Sequence, residues 1–125
     1  MNNSNRTGDV AEFLFDAGSV QRGYVVCRPI HAGTVYDRVV ENEGRFYKVQ
    51  IKSTHKESPM GGYRINLTRN NKKGYTKEMV DVFAVYIAST NTWYLFKNNG
   101  VNSIYIKSKK TERYKENWKI FDEEV

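Results

Sequence analysis

Cysteine is scarce: Cys27 is the one such residue among 125. A lone thiol excludes an internal disulfide and a Cys-based zinc site, and it fits a reducing, cytoplasmic setting. Long apolar runs are missing too. The longest, Val82–Ala88, has seven residues, against about 20 for a membrane-spanning helix, so no membrane partner is expected. The first nine residues, MNNSNRTGD, hold no apolar stretch of the kind a secretory leader needs. No internal repeat, low-complexity tract or linker divides the sequence, so 1–125 reads as one domain. What is there suits a globular protein. Hydrophobic residues make up 39%, aromatics 14% and charged residues 27%, which is enough to exclude disorder and to build one core without staples.

Charge is unevenly spread. Residues 1–51 carry six Lys/Arg and six Asp/Glu, residues 52–119 carry fourteen against five, and residues 120–125 add three acids. The basic excess sits in RNNKKGYTK (69–77) and KSKKTERYKENWK (107–119). Such one-sidedness suits a polyanion through phosphate neutralisation and counterion release. A solvated, solubilising face is the plain alternative.

The apolar rhythm predicts a helix over 8–22 after a loose lead-in, 1–6. Val10, Phe13, Leu14, Ala17 and Gln21 form its core face, Asp9 its N-cap, and Gly18 and Gly23 its weak points. Strands are predicted at 24–28, 34–41 and 46–53, the last two joined by the turn Asn42-Glu43-Gly44-Arg45. A flexible loop (54–62), a strand (63–67) and the basic loop follow. Val82–Ala88 is apolar on both faces and reads as a central strand. A hairpin of 92–97 with 101–107 and a basic C-terminal helix within 107–125 complete a mixed α/β domain on one sheet.

One patch carries chemistry. Gln50 and Lys52 share a strand face about 7 Å apart, while Tyr47, Val49 and Ile51 make the opposite, core face. Inner polar positions are costly unless partnered. Asp37 lies on the neighbouring strand, so a carboxylate, an amide and an ammonium converge. That set suits phosphodiester hydrolysis. Asp37 is suited to a hard cation such as Mg²⁺, with Mn²⁺ as substitute, the Ile51 carbonyl is a second ligand, and Gln50 offers its amide oxygen as a weak ligand or its NH₂ to position the water. Lys52 orients water and stabilises charge on the phosphate.

At these positions the sequence resembles the PD-(D/E)XK nuclease superfamily. Its pattern is an acid on one strand and (D/E)-x-K on the next; here they are Asp37 and Gln50-Ile51-Lys52. The likeness is closest to the small branch of cyanobacterial group I intron homing endonucleases. The shared signatures are Ala11-Glu12, Tyr36-Asp37, Val49-Gln50-Ile51-Lys52-Ser53, and Asp81 before the apolar strand. The resemblance implies an α/β restriction-endonuclease-like core, a mixed central sheet flanked by helices. It also implies metal-dependent cleavage of double-stranded DNA by a homo-oligomer, dimer or tetramer, with Glu12, Asp37, Gln50 and Lys52 as the catalytic set. Gln50 departs from the acidic residue usual there and removes one negative charge; the resemblance implies that Glu12 compensates as a further residue of the metal site.

Each residue also has a plainer reading. Glu12 falls on the polar side of the predicted helix, Lys52 suits an edge strand, and Asp81 suits a cap. His31 and His55 fall in loops, and Trp93 and Trp118 suit a core. Gly61-Gly62 reads as a mobile spot. Arg64, Arg69, Asn70, Lys72, Lys73 and Lys77 are the candidates for DNA contact. A Holliday-junction resolvase and a catalytically silent nucleic-acid-binding module remain open beside the homing enzyme.

Overall fold

The turn at Glu43-Gly44 sets the first register of the protein. Both residues have positive φ, 53° and 80°, the backbone a two-residue hairpin requires and one that glycine adopts freely. The computed structural model describes residues 3–107 and 109–123. The turn joins β2 (Arg38–Asn42) to β3 (Arg45–Thr54), pairing Arg38 with Val49 and Asn42 with Arg45. With β1 (Val25–Cys27), β5 (Val82–Ile87) and β6 (Thr92–Lys97) these strands form a five-stranded mixed sheet, order β1-β2-β3-β5-β6. β3 and β5 run parallel, and all six β5 residues are buried. Asp81 starts that pair: its carboxylate accepts the Lys48 N–H, and its own N–H donates to the Lys48 carbonyl, each at 2.8 Å. It acts as the cap of the plainer reading.

Two corrections concern the sheet. β4 (Tyr63–Asn66) and β7 (Ser103–Ile106) form a separate two-stranded ribbon. β6 and β7 are therefore not a hairpin, and the domain is not built on one sheet. Asn98 explains the divergence. Buried at the end of β6, its Nδ2 donates to the carbonyls of Tyr75, Thr76 and Val80, and its Oδ1 accepts the Gly100 N–H. The chain is thereby turned across the sheet towards β4.

The helix α1 (Asn3–Gln21) also departs from expectation. It begins at residue 3 rather than after a loose segment, so Asp9 lies inside it; residues 1 and 2 lie outside the described residues. Its buried stripe is Ala11, Phe15 and Ser19, whereas Val10, Phe13, Leu14 and Val20 are exposed. Phe15 decides the face. Its ring packs 5.7 Å from Trp93, 5.6 Å from Trp118 and 6.3 Å from Phe121, a burial worth about 1.5–3 kcal/mol. Gly18 is a close-approach point rather than a weak one, since a Cβ there would lie 3.2 Å from the Trp118 ring. Gly23, at φ 88°, ends the helix in a Schellman turn: its N–H bonds Val20 and that of Tyr24 bonds Ser19.

α1 covers one face of the sheet with Tyr47, Val49, Ile51 and Leu95 beneath it; the β4–β7 ribbon and Leu67, Tyr75 and Val80 cover the other, over Phe83, Val85 and Phe96. Both tryptophans belong to the core. The C-terminal segment is not one helix. It comprises a single helical turn, α2 (Lys109–Glu112), and a 3₁₀ turn (Trp118–Asp122); residues 108, 124 and 125 lie outside the described residues. Between the turns the chain joins the β6 edge. Leu95 donates to Tyr114, Glu116 donates to Trp93, and the Glu116 carboxylate accepts the Trp93 N–H at 2.7 Å. Glu116 takes φ 49° to do this, which no helix allows.

Candidate active site

Asp37 sits one residue before β2, opposite Gln50 in the hairpin register, and not mid-strand as the sequence predicts. Its N–H donates to Val49 at 2.8 Å, and its Oδ2 accepts the Ile51 N–H at 2.8 Å. The carboxylate thus replaces the strand partner that β3 loses where β2 ends. N–H and C=O of one strand residue point the same way, so the Ile51 carbonyl faces the same edge. Burial pushes the Asp37 carboxyl above the usual carboxylate range. The Ile51 hydrogen bond opposes that, the Glu12 charge adds to it, and Arg38 and Lys52 work against it.

Gln50 and Lys52 are half-buried and project from β3 on the ribbon side, because their strand neighbours Val49 and Ile51 pack beneath α1. Lys52 is held by Tyr75. Its Nζ donates to the Tyr75 hydroxyl at 3.3 Å and lies 5.3 Å from the ring centroid. Tyr75 is itself fixed edge-on against Phe83 at 5.5 Å. Asp37, Gln50 and Lys52 line one open cleft of about 520 Å³, with Thr68, Arg69, Asn70, Asn71 and Tyr75 as its other wall.

Glu12 lines a neighbouring cleft of about 530 Å³ with Arg28, His31 and Arg38; Asp37 is common to both. Arg38 is buried, and its guanidinium reaches Asp16 at 2.7 and 3.1 Å, Glu12 at 3.1 Å and the Asp37 carbonyl at 2.8 Å. Burial alone would lower the pKa of this guanidinium; the Asp16 and Glu12 carboxylates outweigh that and raise it. One cation therefore ties α1 to the start of β2 on either side of Asp37.

Of the expected DNA contacts, Arg69 and Asn70 line the Asp37 cleft, and Lys72 and Lys73 are exposed in the adjoining turn closed by Arg69 and Lys73. Arg64 is exposed on β4. Lys77 stands apart, in a small cavity with Asp81 and Lys97. His31 and His55 are exposed. Gly61 and Gly62 are pinned rather than free: Tyr105 donates to the Gly61 carbonyl, Lys107 to that of Met60, and a Cβ on Gly62 would meet the Lys107 side chain at 2.6 Å. Arg38 and Tyr75 escape sequence reasoning because no spacing marks them; Arg38's position beside Asp37 is the one available hint.

The donor set is compatible with a hard divalent cation. Oδ1 of Asp37 has no partner among the described residues, and the Gln50 amide and the Ile51 carbonyl add neutral oxygens. No group of three or more His, Cys, Asp or Glu among the described residues is placed to hold a metal alone.

A family model described as PD-(D/E)XK endonuclease matches residues 2–123. No curated protein matches the chain. Among solved structures, the bacterial homing endonuclease I-Ssp6803I superposes with a TM-score of 0.82 at 23% identity, over 97% of this chain and 95% of that one. The Holliday junction resolvase Hjc of Archaeoglobus fulgidus superposes with a TM-score of 0.61 at 11% identity, over 94% and 97%. Both likenesses show the fold.

Proposed function

The chain belongs to the PD-(D/E)XK endonuclease family, and from that premise we propose that it is an Mg²⁺-dependent endonuclease of double-stranded DNA, site-specific in the homing manner. The observation that carries this reading is that Asp37, Gln50, Lys52 and Arg69 line one and the same open cleft. One acid, one amide and two cations facing an open surface fit a phosphodiester backbone.

In this reading Asp37, the Ile51 carbonyl and the Gln50 amide oxygen hold the cation, and Mn²⁺ can replace Mg²⁺. When bound, the cation supplies Lewis acidity towards the phosphate and a more acidic water. Lys52, steadied by Tyr75, stabilises charge developing on the phosphate oxygens. The nitrogen of the Gln50 amide orients the attacking water. Glu12, fixed by Arg38, adds the negative charge that Gln50 lacks. Arg69, Asn70, Lys72 and Lys73 hold the backbone beside the cleft, and Arg64 and Lys77 extend the contact outwards. The whole chain, 1–125, acts as one nuclease domain in the cytoplasm.

A chain this small has little surface for a long site, so a homo-oligomer reads it in parts. The stripe Val10, Phe13, Leu14 and Val20, left exposed on α1, supports such assembly.

The test is cleavage of supercoiled plasmid and of a linear duplex library. The wild type is expected to cut with Mg²⁺ and to stop with chelator. Lys52→Ala loses about 10²–10³-fold in rate, and Asp37→Ala at least as much. Equal cutting by all three proteins, or none by any, removes the reading. Preference for a four-way junction over linear DNA would turn it towards a resolvase.

A further inference from the structure

The β4–β7 ribbon presents two very different faces. Ile65 and Ile106 are buried against the sheet. The outward positions are Arg64 paired with Tyr105 and Asn66 paired with Ser103, all four exposed. No acid stands among them. The guanidinium of Arg64 is engaged by no described residue. Asn66 is pre-set: its Oδ1 accepts the Thr68 N–H at 2.9 Å and the Thr68 hydroxyl at 2.6 Å, leaving its amide nitrogen to donate outwards. Tyr105 is spent on the Gly61 carbonyl and buttresses the loop instead.

We propose that this ribbon is the sequence-reading element, entering the major groove with Arg64 as the principal base contact and Asn66 as the second. The inference rests on the nuclease reading for its duplex. A two-stranded ribbon fits the roughly 12 Å groove, and an arginine fork matches guanine O6 and N7. The ribbon lies on the sheet face from which Gln50 and Lys52 project. The chain runs from Arg64 to the cleft wall at Thr68 in four residues, about 13 Å of extended backbone. The charge distribution agrees, since the ribbon belongs to the segment with fourteen cations against five acids.

Selection of bound duplexes from a randomised library, done in chelator so that nothing is cut, tests this directly. The wild type is expected to enrich one guanine. Arg64→Ala removes that enrichment by about 5- to 100-fold while preferences elsewhere persist. Arg64→Lys keeps the salt dependence but relaxes the same position, because an ammonium on a flexible stem lacks the rigid planar fork of the guanidinium. Uniform weakening for every sequence with a shallower salt slope makes Arg64 a phosphate contact and overturns the proposal. So do an unchanged profile, a wild type without preference, and a wild type that does not bind. A protein that selects through Arg64 yet never cuts sinks the nuclease reading alone; one that cuts while Arg64→Ala leaves its selection unchanged sinks this inference alone.

Discussion

The Asp37 carboxylate accepts the Ile51 N–H at 2.8 Å, so a side chain completes the hydrogen bonding of β3 where its neighbouring strand stops. The price is a half-buried carboxylate beside Glu12, and burial raises the Asp37 pKa.

That cost has a sign. With the folded pKa above the unfolded one, the folded chain binds more protons at this group, and its contribution falls as pH rises through the folded value. In its ionised form the buried carboxylate opposes folding. Asp37→Asn keeps an acceptor for Ile51 and removes the charge. It is expected to raise stability by up to about 1 kcal/mol near pH 7 and to lose that advantage near pH 3, where both side chains are neutral. Mg²⁺ should raise the Tm of the wild type and leave that of the variant unmoved. Thermal melts across pH, with and without Mg²⁺, check both statements.

Arg38→Met leaves Glu12 and Asp16 without their shared cation. Loss of one partner from a wholly buried pair costs about 3–5 kcal/mol; these carboxylates are 36% and 35% exposed, so about 2 kcal/mol is expected. Denaturant unfolding measures it. A loss below about 0.5 kcal/mol would show that Arg38 does not tie α1 to β2.

Gln50→Glu restores a charge to the cleft. It should tighten divalent-cation binding by about tenfold and lower stability without metal through repulsion of Asp37. Calorimetric titration reads the first effect. An unchanged affinity would place Gln50 away from the ion.

Phe13, 65% exposed on α1, is the centre of the proposed self-association stripe. Phe13→Asp is expected to shift the chain to monomer in sedimentation velocity with its circular dichroism intact. A wild type already monomeric at tens of micromolar would contradict assembly through this face.

Much of the sheet was legible in the sequence because its signals are local. Glu43-Gly44 demands a tight turn, and β5 is apolar on both faces. The Asp37, Gln50, Lys52 constellation follows from strand alternation and the hairpin alone. The helix face was not legible, because two stripes of α1 are apolar enough. The choice between Phe13 and Phe15 is made by Trp93, Trp118 and the reach of Arg38, all distant in sequence. Tyr114, Trp118 and Phe121 carry helical spacing, yet edge pairing of Glu116 with Trp93 overrides it. The pairing of β7 with β4 depends on Asn98, whose turn-like surroundings conceal a buried role.

The proposed chemistry turns on a divalent cation bound between Asp37 and the Ile51 backbone. Paramagnetic broadening of amide resonances during Mn²⁺ titration of the labelled protein locates the ion without needing a DNA target. Broadening centred on residues 36–38 and 50–52 is expected, abolished by Asp37→Ala and reversed by excess Mg²⁺. Broadening centred elsewhere, or unaffected by that substitution, would contradict it.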